Sequence, residues 1–338
     1  MTLDVLTWHV HGSYLYYLAH APHRFLLPVR EGRPEGYGGR GGNFAWPDNV
    51  VEVPADEVRD VPVDVVLTQS VRNWEVDSPD LLSEAQRRDT PRVHLEHDPP
   101  KAWPNEALHP VQDPGTLLVH VTPFNELMWD NGVTPTAVVQ HGVVVPDDAT
   151  WTGELGRAVS VVNNLGRRGR RLGPDVFTRL AAGSPVDLAG MNAQEFDGVA
   201  ATVLGDVPLA DLHRRLGAYR CFVNPIRYTS LGLAVCEAMA LGLPVVGLAT
   251  TEMAAAVRNG VDGYVDTDVE VLAAYLRRLL ADRDEAAALS AGARERARER
   301  FGIERFARDW DAVLLRAAGS TAPAPTASGH QEEVAWRA

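Results

Sequence analysis

Tyr228-Thr-Ser-Leu-Gly-Leu-Ala-Val-Cys-Glu237-Ala-Met-Ala-Leu-Gly-Leu-Pro-Val-Val246 decides how the rest of the chain is read. Between Leu231 and Thr250 the sole charge is Glu237, in the middle of an apolar run. An unpaired buried carboxylate is costly, so it either takes up a proton or binds something specific. Gly242, Pro244 and Gly247 interrupt the run and exclude a membrane span. The stretch reads as a small-residue loop, a buried helix from about Leu233 to Leu241, a glycine turn and a buried strand Pro244–Ala249. A small-residue loop feeding a helix N-terminus is a ready-made anion site, because free N–H groups and the helix dipole point the same way. Glu237 lies one to two turns along that helix, within reach of a sugar ring attached to the anion. Glu237 on the exposed stripe of an ordinary helix fits the same residues, and both readings stay open here.

On either side, short apolar strands alternate with helical stretches, the pattern of a parallel α/β protein. The N-terminal half offers strands Leu3–Trp8, Arg24–Val29, Val63–Thr68, Pro91–Glu96, Leu117–His120 and Ala137–Gln140. The C-terminal half offers Ala158–Asn163, Val186–Ala189, Cys221–Asn224, Pro244–Ala249 and Gly263–Val265. Pro146 and the paired Asp147 and Asp148 end a strand, so the expected division is 1–146 and 147–302. Two doubly wound domains would then face each other, with a ligand between the carboxyl ends of their strands. Glu31–Asn49 is rich in Gly and Pro and reads as a mobile loop. Arg298–Ala317 reads as one charged amphipathic helix, and the Pro- and Ala-rich stretch 319–338 as a disordered tail.

Three groups could carry chemistry. Asn163-Asn-Leu-Gly-Arg167-Arg-Gly-Arg170-Arg171 follows a buried strand, and its arginines suit a diphosphate through paired charge-assisted hydrogen bonds. A solvated basic loop is the plainer account. His97 closes a strand, where an imidazole facing a cleft can bond a hydroxyl or simply be satisfied by backbone. His9 and His11 flank one residue as metal ligands do, but no third ligand is specified. Asp309-Trp-Asp311 lies within a helical pattern and reads as a solvated face.

These motifs resemble the nucleotide-binding half of retaining GT-B glycosyltransferases, glycosyltransferase family 4. Ser230-Leu-Gly-Leu followed by Glu237-Ala-Met-Ala-Leu-Gly-Leu-Pro-Val-Val matches that family's loop and helix, and Asn259-Gly-Val-Asp-Gly its later strand entry. Leu204-Gly-Asp-Val and Cys221-Phe-Val-Asn-Pro resemble strand ends near the base and donor site. The likeness is strong over 159–310 and thinner over the first 150 residues. It implies a GT-B fold with a helix over 303–318 crossing back to the N-terminal domain. It also implies metal-independent transfer of a sugar, with retention, from a UDP- or GDP-sugar to an acceptor hydroxyl, as in polysaccharide or glycoconjugate synthesis. Donor contacts would come from Gly12, Asn164, Arg170, Arg171, Gly205, Ser230, Leu231, Gly232, Leu233 and Glu237. His97 and Thr229 would sit at the reacting sugar. Thr229 replaces the family's first Glu and cannot carry negative charge. A sugar-nucleotide epimerase of the same architecture and a non-catalytic sugar-nucleotide-binding subunit remain as alternatives.

Composition narrows the classes. A formal net charge of -13 argues against a nucleic-acid binder that relies on overall positive charge. Cys221 and Cys236 sit in apolar surroundings without metal spacing and read as reduced core residues. The chain opens straight into Leu3-Asp-Val-Leu-Thr-Trp-His, so a cytoplasmic protein is expected, with peripheral contact at the inner membrane face left open. The acceptor stays unspecified: a saccharide, a lipid-linked group or a small molecule. Arg30, Arg33 and Arg40 with Tyr37 and Trp46 could meet a lipid-linked or polyanionic acceptor, or be incidental surface residues.

Overall fold

The computed structural model describes residues 1–10, 12–41 and 44–319. His11 of the His9/His11 pair and the proposed tail beyond 319 lie outside the described residues.

The first sheet holds β1 (Asp4–Thr7), β2 (Arg24–Val29), β3 (Val50–Pro54), β4 (Val65–Thr68), β5 (Arg92–Glu96), β6 (Thr116–His120) and β7 (Thr136–Val138). They run in the order β3-β2-β1-β4-β5-β6-β7, every neighbouring pair parallel. The second holds β8 (Leu155–Val161), β9 (Val186–Ala189), β10 (Val203–Gly205), β11 (Tyr219–Asn224), β12 (Val245–Leu248) and β13 (Gly263–Asp266), in the order β10-β9-β8-β11-β12-β13. It too is parallel throughout. Both orders reverse direction beside the first strand of the sheet, which opens a crevice at the carboxyl ends. Strands such as β4, β6, β11 and β12 are buried along their whole length, as strands covered on both faces must be.

The structure differs from the sequence reading in three places. Edge strand β3 was not expected, and β10 was seen only as a strand end. The described residues of the stretch 31–49 form no strand or helix but are anchored: Tyr37 is buried, its hydroxyl donates to Asp77 Oδ1 at 2.8 Å, and Arg30 lies over its ring. The expected helix Arg298–Ala317 is two helices, Arg283–Phe301 and Ile303–Ala317, separated at Gly302.

That break turns the last helix onto the first domain. Trp310, fully buried between the two aspartates, donates through Nε1 to the Tyr14 hydroxyl at 3.1 Å. Its neighbours are engaged as well: Asp309 pairs with Arg305 at 2.6 Å, and Asp311 Oδ1 stands 3.1 Å from His23 Nε2. Phe306 presses on the connecting segment at Gly142, where an added Cβ would stand 2.1 Å from the Phe306 Cβ. Arg305 ties the same segment by donating to the carbonyls of Gln140 and His141. Helix Leu233–Leu241 is apolar on nearly every side because it lies between helices Leu209–Leu216 and Arg283–Phe301.

Candidate active site

A cavity of about 670 Å³ separates the two sheets at their carboxyl ends, within the usual range for small-molecule sites of roughly 300–1,000 Å³. The first domain contributes Gly12, Ser13, Tyr14, Phe44, His97 and Asp98, and the connecting segment contributes His141. The second contributes Asn163, Arg168, Asp206, the loop Thr229–Gly232, the start of helix Leu233–Leu241, and Glu237. A second depression by Arg30 and Arg33 offers less free charge, because these two pair with Asp80 and Glu52.

The helix begins at Gly232, whose backbone is extended with φ -66° and ψ 135° and whose missing side chain leaves open space at the turn. It ends at Gly242, left-handed with φ 91°, a conformation glycine adopts without steric penalty. No side chain caps the N-terminus: the Val235 amide turns back to the Gly232 carbonyl at 3.0 Å, while Gly232, Leu233 and Ala234 before it line the cleft.

Glu237 is 4 % exposed and lies on the cleft wall. Tyr17, from the first domain, donates its hydroxyl to Oε1 at 2.8 Å. His213 Nε2 stands 3.4 Å from Oε2 without the alignment of a hydrogen bond. The carboxylate is therefore hydrogen-bonded by the first domain and only approached by a histidine of the second. Burial, then the adjacent Glu237 charge, drives the Tyr17 phenol well above its ordinary pKa, so it stays a donor.

Gly12, His97, Thr229, Ser230, Leu231, Gly232, Leu233 and Glu237 all border this cavity. His97 Nε2 is 3.2 Å from Gln69 Oε1, and its ring meets Tyr14 edge-on at 4.7 Å. Asn164 is turned aside: it is left-handed with φ 57°, and its Oδ1 accepts from Asn192 at 2.5 Å, while Asn163 takes the lining position. Gly205 lies just behind the lining residues Asp206 and Val207.

The arginine loop is placed differently from the expectation. Arg170 is exposed and pairs with Asp175 at 3.2 Å. The Arg171 carbonyl receives the Arg227 and Tyr228 amides, and its Nη1 is buried without a hydrogen-bond partner. Arg168 is the arginine that lines the cleft, and among the described residues it forms no ion pair. Burial, then the Arg171 charge, lowers its pKa, against the opposing pull of Asp98.

Tyr17, His213 and His141 were not foreseen. His141 is 4 % exposed and faces the Leu231 backbone beside Tyr14; burial takes its pKa down to about 4.

Residues 176–282 match the family model described as "Glycosyl transferases group 1". The match is confined to this segment of the second domain. It spans β9 to β13, including the Glu237 helix. No curated protein sequence matches the chain. Among solved structures it is similar to sucrose-phosphate synthase from Thermosynechococcus elongatus, with 16% identity over 94% of this chain and 99% of that one, TM-score 0.68. A glycosyltransferase from Rickettsia africae shares 13% identity over 94% and 98%, TM-score 0.66. Anabaena HepE in complex with UDP shares 13% identity over 94% and 100%, TM-score 0.64. At these identities the likeness establishes the fold: two parallel Rossmann-like domains, as in GT-B glycosyltransferase structures. No helix among the described residues is long and apolar enough to cross a membrane.

Behind the His97 strand end lies a group with metal-ligand spacing. Ligand atoms of His94, Glu96 and His109 lie within 4.8 Å of one another. Proton accounting favours hydrogen bonding there. His109 Nδ1 accepts from the Val111 amide at 3.1 Å, which places its proton on Nε2, 3.2 Å from Glu96 Oε2. A cation on Nε2 would have to displace that proton. His94 sits 2.8 Å from Thr68 Oγ1, and burial, then His109 and His120, lowers its pKa to about 3. Since the unfolded histidine titrates near 6.5, the unfolded chain binds more protons below that value, and stability falls with pH between about 6.5 and 3. The expected loss from His94 is about 1 kcal/mol per pH unit. Urea unfolding of wild type and His94→Gln at pH 6.5 and 5.5 measures it; equal pH dependence in the two would refute the assignment.

Proposed function

We propose that the chain transfers a glycosyl group from a nucleoside diphosphate sugar to an acceptor hydroxyl, with retention at the anomeric carbon and without a metal ion. The observation that carries this reading is one cleft joining an arginine without an ion pair, an uncapped helix N-terminus and a buried carboxylate. Further support comes from the glycosyl transferases group 1 match, and from Anabaena HepE having been solved with UDP and with UDP and glucose.

In this reading Arg168 and the amides around Gly232 hold the diphosphate and stabilise charge as it leaves. Glu237 accepts from the ribose hydroxyls. His97 and Thr229 flank the transferred sugar from opposite domains, Thr229 offering one neutral hydroxyl as donor and acceptor. The acceptor oxygen bonds to the anomeric carbon, the bond to the diphosphate breaks with its electron pair leaving on phosphate, and the hydroxyl proton passes to that oxygen or to water. Closing the domains excludes water from the donor.

Calorimetry with UDP, GDP, uridine and guanosine tests the binding half. One diphosphate should bind at least tenfold tighter than its nucleoside, since each charge-assisted contact contributes about 1.5–3 kcal/mol. Equal affinities for nucleoside and diphosphate would remove the phosphate role. Incubation with UDP- and GDP-sugars should then release diphosphate without net epimerisation and in the presence of EDTA, and product NMR should show the donor's anomeric configuration. Conversion of the sugar to its epimer would favour an epimerase, and binding without turnover a non-catalytic subunit.

A further inference from the structure

We infer that His9, Tyr16, Phe44 and Trp46 form an acceptor subsite for a neutral saccharide; this rests on the transferase reading above. Phe44 stacks on Tyr16 with ring centres 5.4 Å apart and planes at 22°, and meets Trp46 edge-on at 5.4 Å. His9 stands edge-on to Trp46 at 5.2 Å. All four rings are only half-buried, and Phe44 is on the cavity wall beside Gly12 and Ser13. Gly12 is what admits them: a Cβ there would lie 2.9 Å from Phe44 Cε2 and 3.1 Å from His9 Nε2.

The chemistry of this end selects the ligand class. Aromatic faces carry partial negative charge and attract the C–H faces of a pyranose ring, while its hydroxyls need polar partners at the edge. Both are present. His9 Nδ1 lies 2.7 Å from the Gly39 carbonyl, which fixes the proton on Nδ1 and leaves the Nε2 lone pair to accept from a hydroxyl. Ser13 borders the same space.

Among the described first-domain residues that line the cavity, an anionic acceptor meets no lysine or arginine. The first-domain lining is Gly12, Ser13, Tyr14, Phe44, His97 and Asp98, and the one formal charge among these is the Asp98 carboxylate. Two of the three arginines of the neighbouring loop are engaged elsewhere, Arg30 with Asp80 and Arg33 with Glu52; Arg40 is exposed and meets Glu52 only through its backbone amide. The lipid-linked or polyanionic acceptor considered from the sequence therefore finds two of the three arginines already neutralised and the third, Arg40, absent from the cavity lining.

Saturation-transfer NMR on the whole protein with UDP present tests this. The probes are methyl α-glucopyranoside, methyl α-mannopyranoside, methyl β-galactopyranoside, glucose 1-phosphate and phosphatidylglycerol vesicles. At least one neutral glycoside should receive saturation on its ring protons, and Phe44→Ala and Trp46→Ala should each weaken it tenfold or more. Phe44→Tyr, which keeps the ring, should restore binding, and melting curves check that each variant folds. In turnover the alanine variants should raise the acceptor KM more than they lower kcat. Undiminished glycoside binding in Phe44→Ala, or binding of the phosphorylated probe or vesicles in place of every neutral glycoside, would overturn the inference. Donor hydrolysis without acceptor separates the two levels: if wild type cleaves no donor, the transferase reading fails, and if it cleaves donor but binds no glycoside, this subsite alone fails.

Discussion

Glu237→Ala should weaken nucleoside diphosphate binding by about 2 kcal/mol or more, roughly thirtyfold. The carboxylate is 4 % exposed and reaches the cleft with one oxygen held by Tyr17 at 2.8 Å and the other near His213 at 3.4 Å. A ribose diol arriving there finds a carboxyl acceptor already oriented by the Tyr17 hydroxyl. The same contact gives a competing account, in which Glu237 only fastens Tyr17 and with it the two domains. Tyr17→Phe separates them. If Glu237 serves the nucleotide, removing the Tyr17 hydroxyl leaves diphosphate affinity unchanged or higher, because ribose no longer competes for Oε1. If Glu237 is a fastener alone, Tyr17→Phe and Glu237→Ala should cost similar stability, and neither should be selective for nucleotide. Titration of both variants by calorimetry, with urea unfolding beside it, reads out the difference. Some stability should be lost in Glu237→Ala under either account, since the Tyr17 hydroxyl is left buried without its acceptor, at about 1–3 kcal/mol.

The architecture was legible because buried parallel strands write themselves as unbroken apolar runs between turn residues. Arg24–Val29, Val186–Ala189 and helix Leu233–Leu241 have the bounds the sequence suggested. Val50–Pro54 was missed for the same physical reason: an edge strand is half-covered, and Glu52 in its centre breaks the run. Periodicity alone merged the two C-terminal helices because the charged pattern continues through Gly302, whereas the resemblance implied a separate helix over 303–318; the turn is set by Phe306 and Trp310 docking on the first domain. The cleft was legible only where its residues are consecutive. The loop from Thr229 to Leu233 and Glu237 share a few turns of chain, so one motif exposes them together. Tyr17 lies 220 residues from Glu237 and His213 arrives from a separate helix. Nothing in the local pattern of either points to that carboxylate; the pairing exists only once the domains meet. The aromatic ring group depends likewise on a loop folding over Gly12.

The arginine loop shows the limit most sharply, and it carries the remaining prediction. Arg167, Arg168, Arg170 and Arg171 are chemically identical in the sequence; backbone geometry separates them. Gly169 is left-handed with φ 67° and a short helical turn follows over Gly169–Leu172, so the arginines on its two sides leave the chain in different directions. Arg167 meets Glu195 at 3.0 Å and Arg170 meets Asp175, which also takes two bonds from Arg227. Arg168 alone of the four lines the cavity. Arg168→Ala should therefore weaken diphosphate binding by about 1.5–3 kcal/mol, roughly ten- to a hundredfold, with nucleoside binding hardly changed. Arg170→Ala should change it little, since the side chain is 78 % exposed and its partner 47 %, a surface pair contributing about 0–1 kcal/mol. Raising salt should narrow the difference between wild type and Arg168→Ala, because screening weakens the charge contact that distinguishes them. Calorimetry with UDP and GDP at low and high ionic strength is the measurement. An Arg170→Ala defect as large as that of Arg168→Ala would mean that the loop turns over when nucleotide binds, and that Arg170 leaves Asp175 to reach the phosphates.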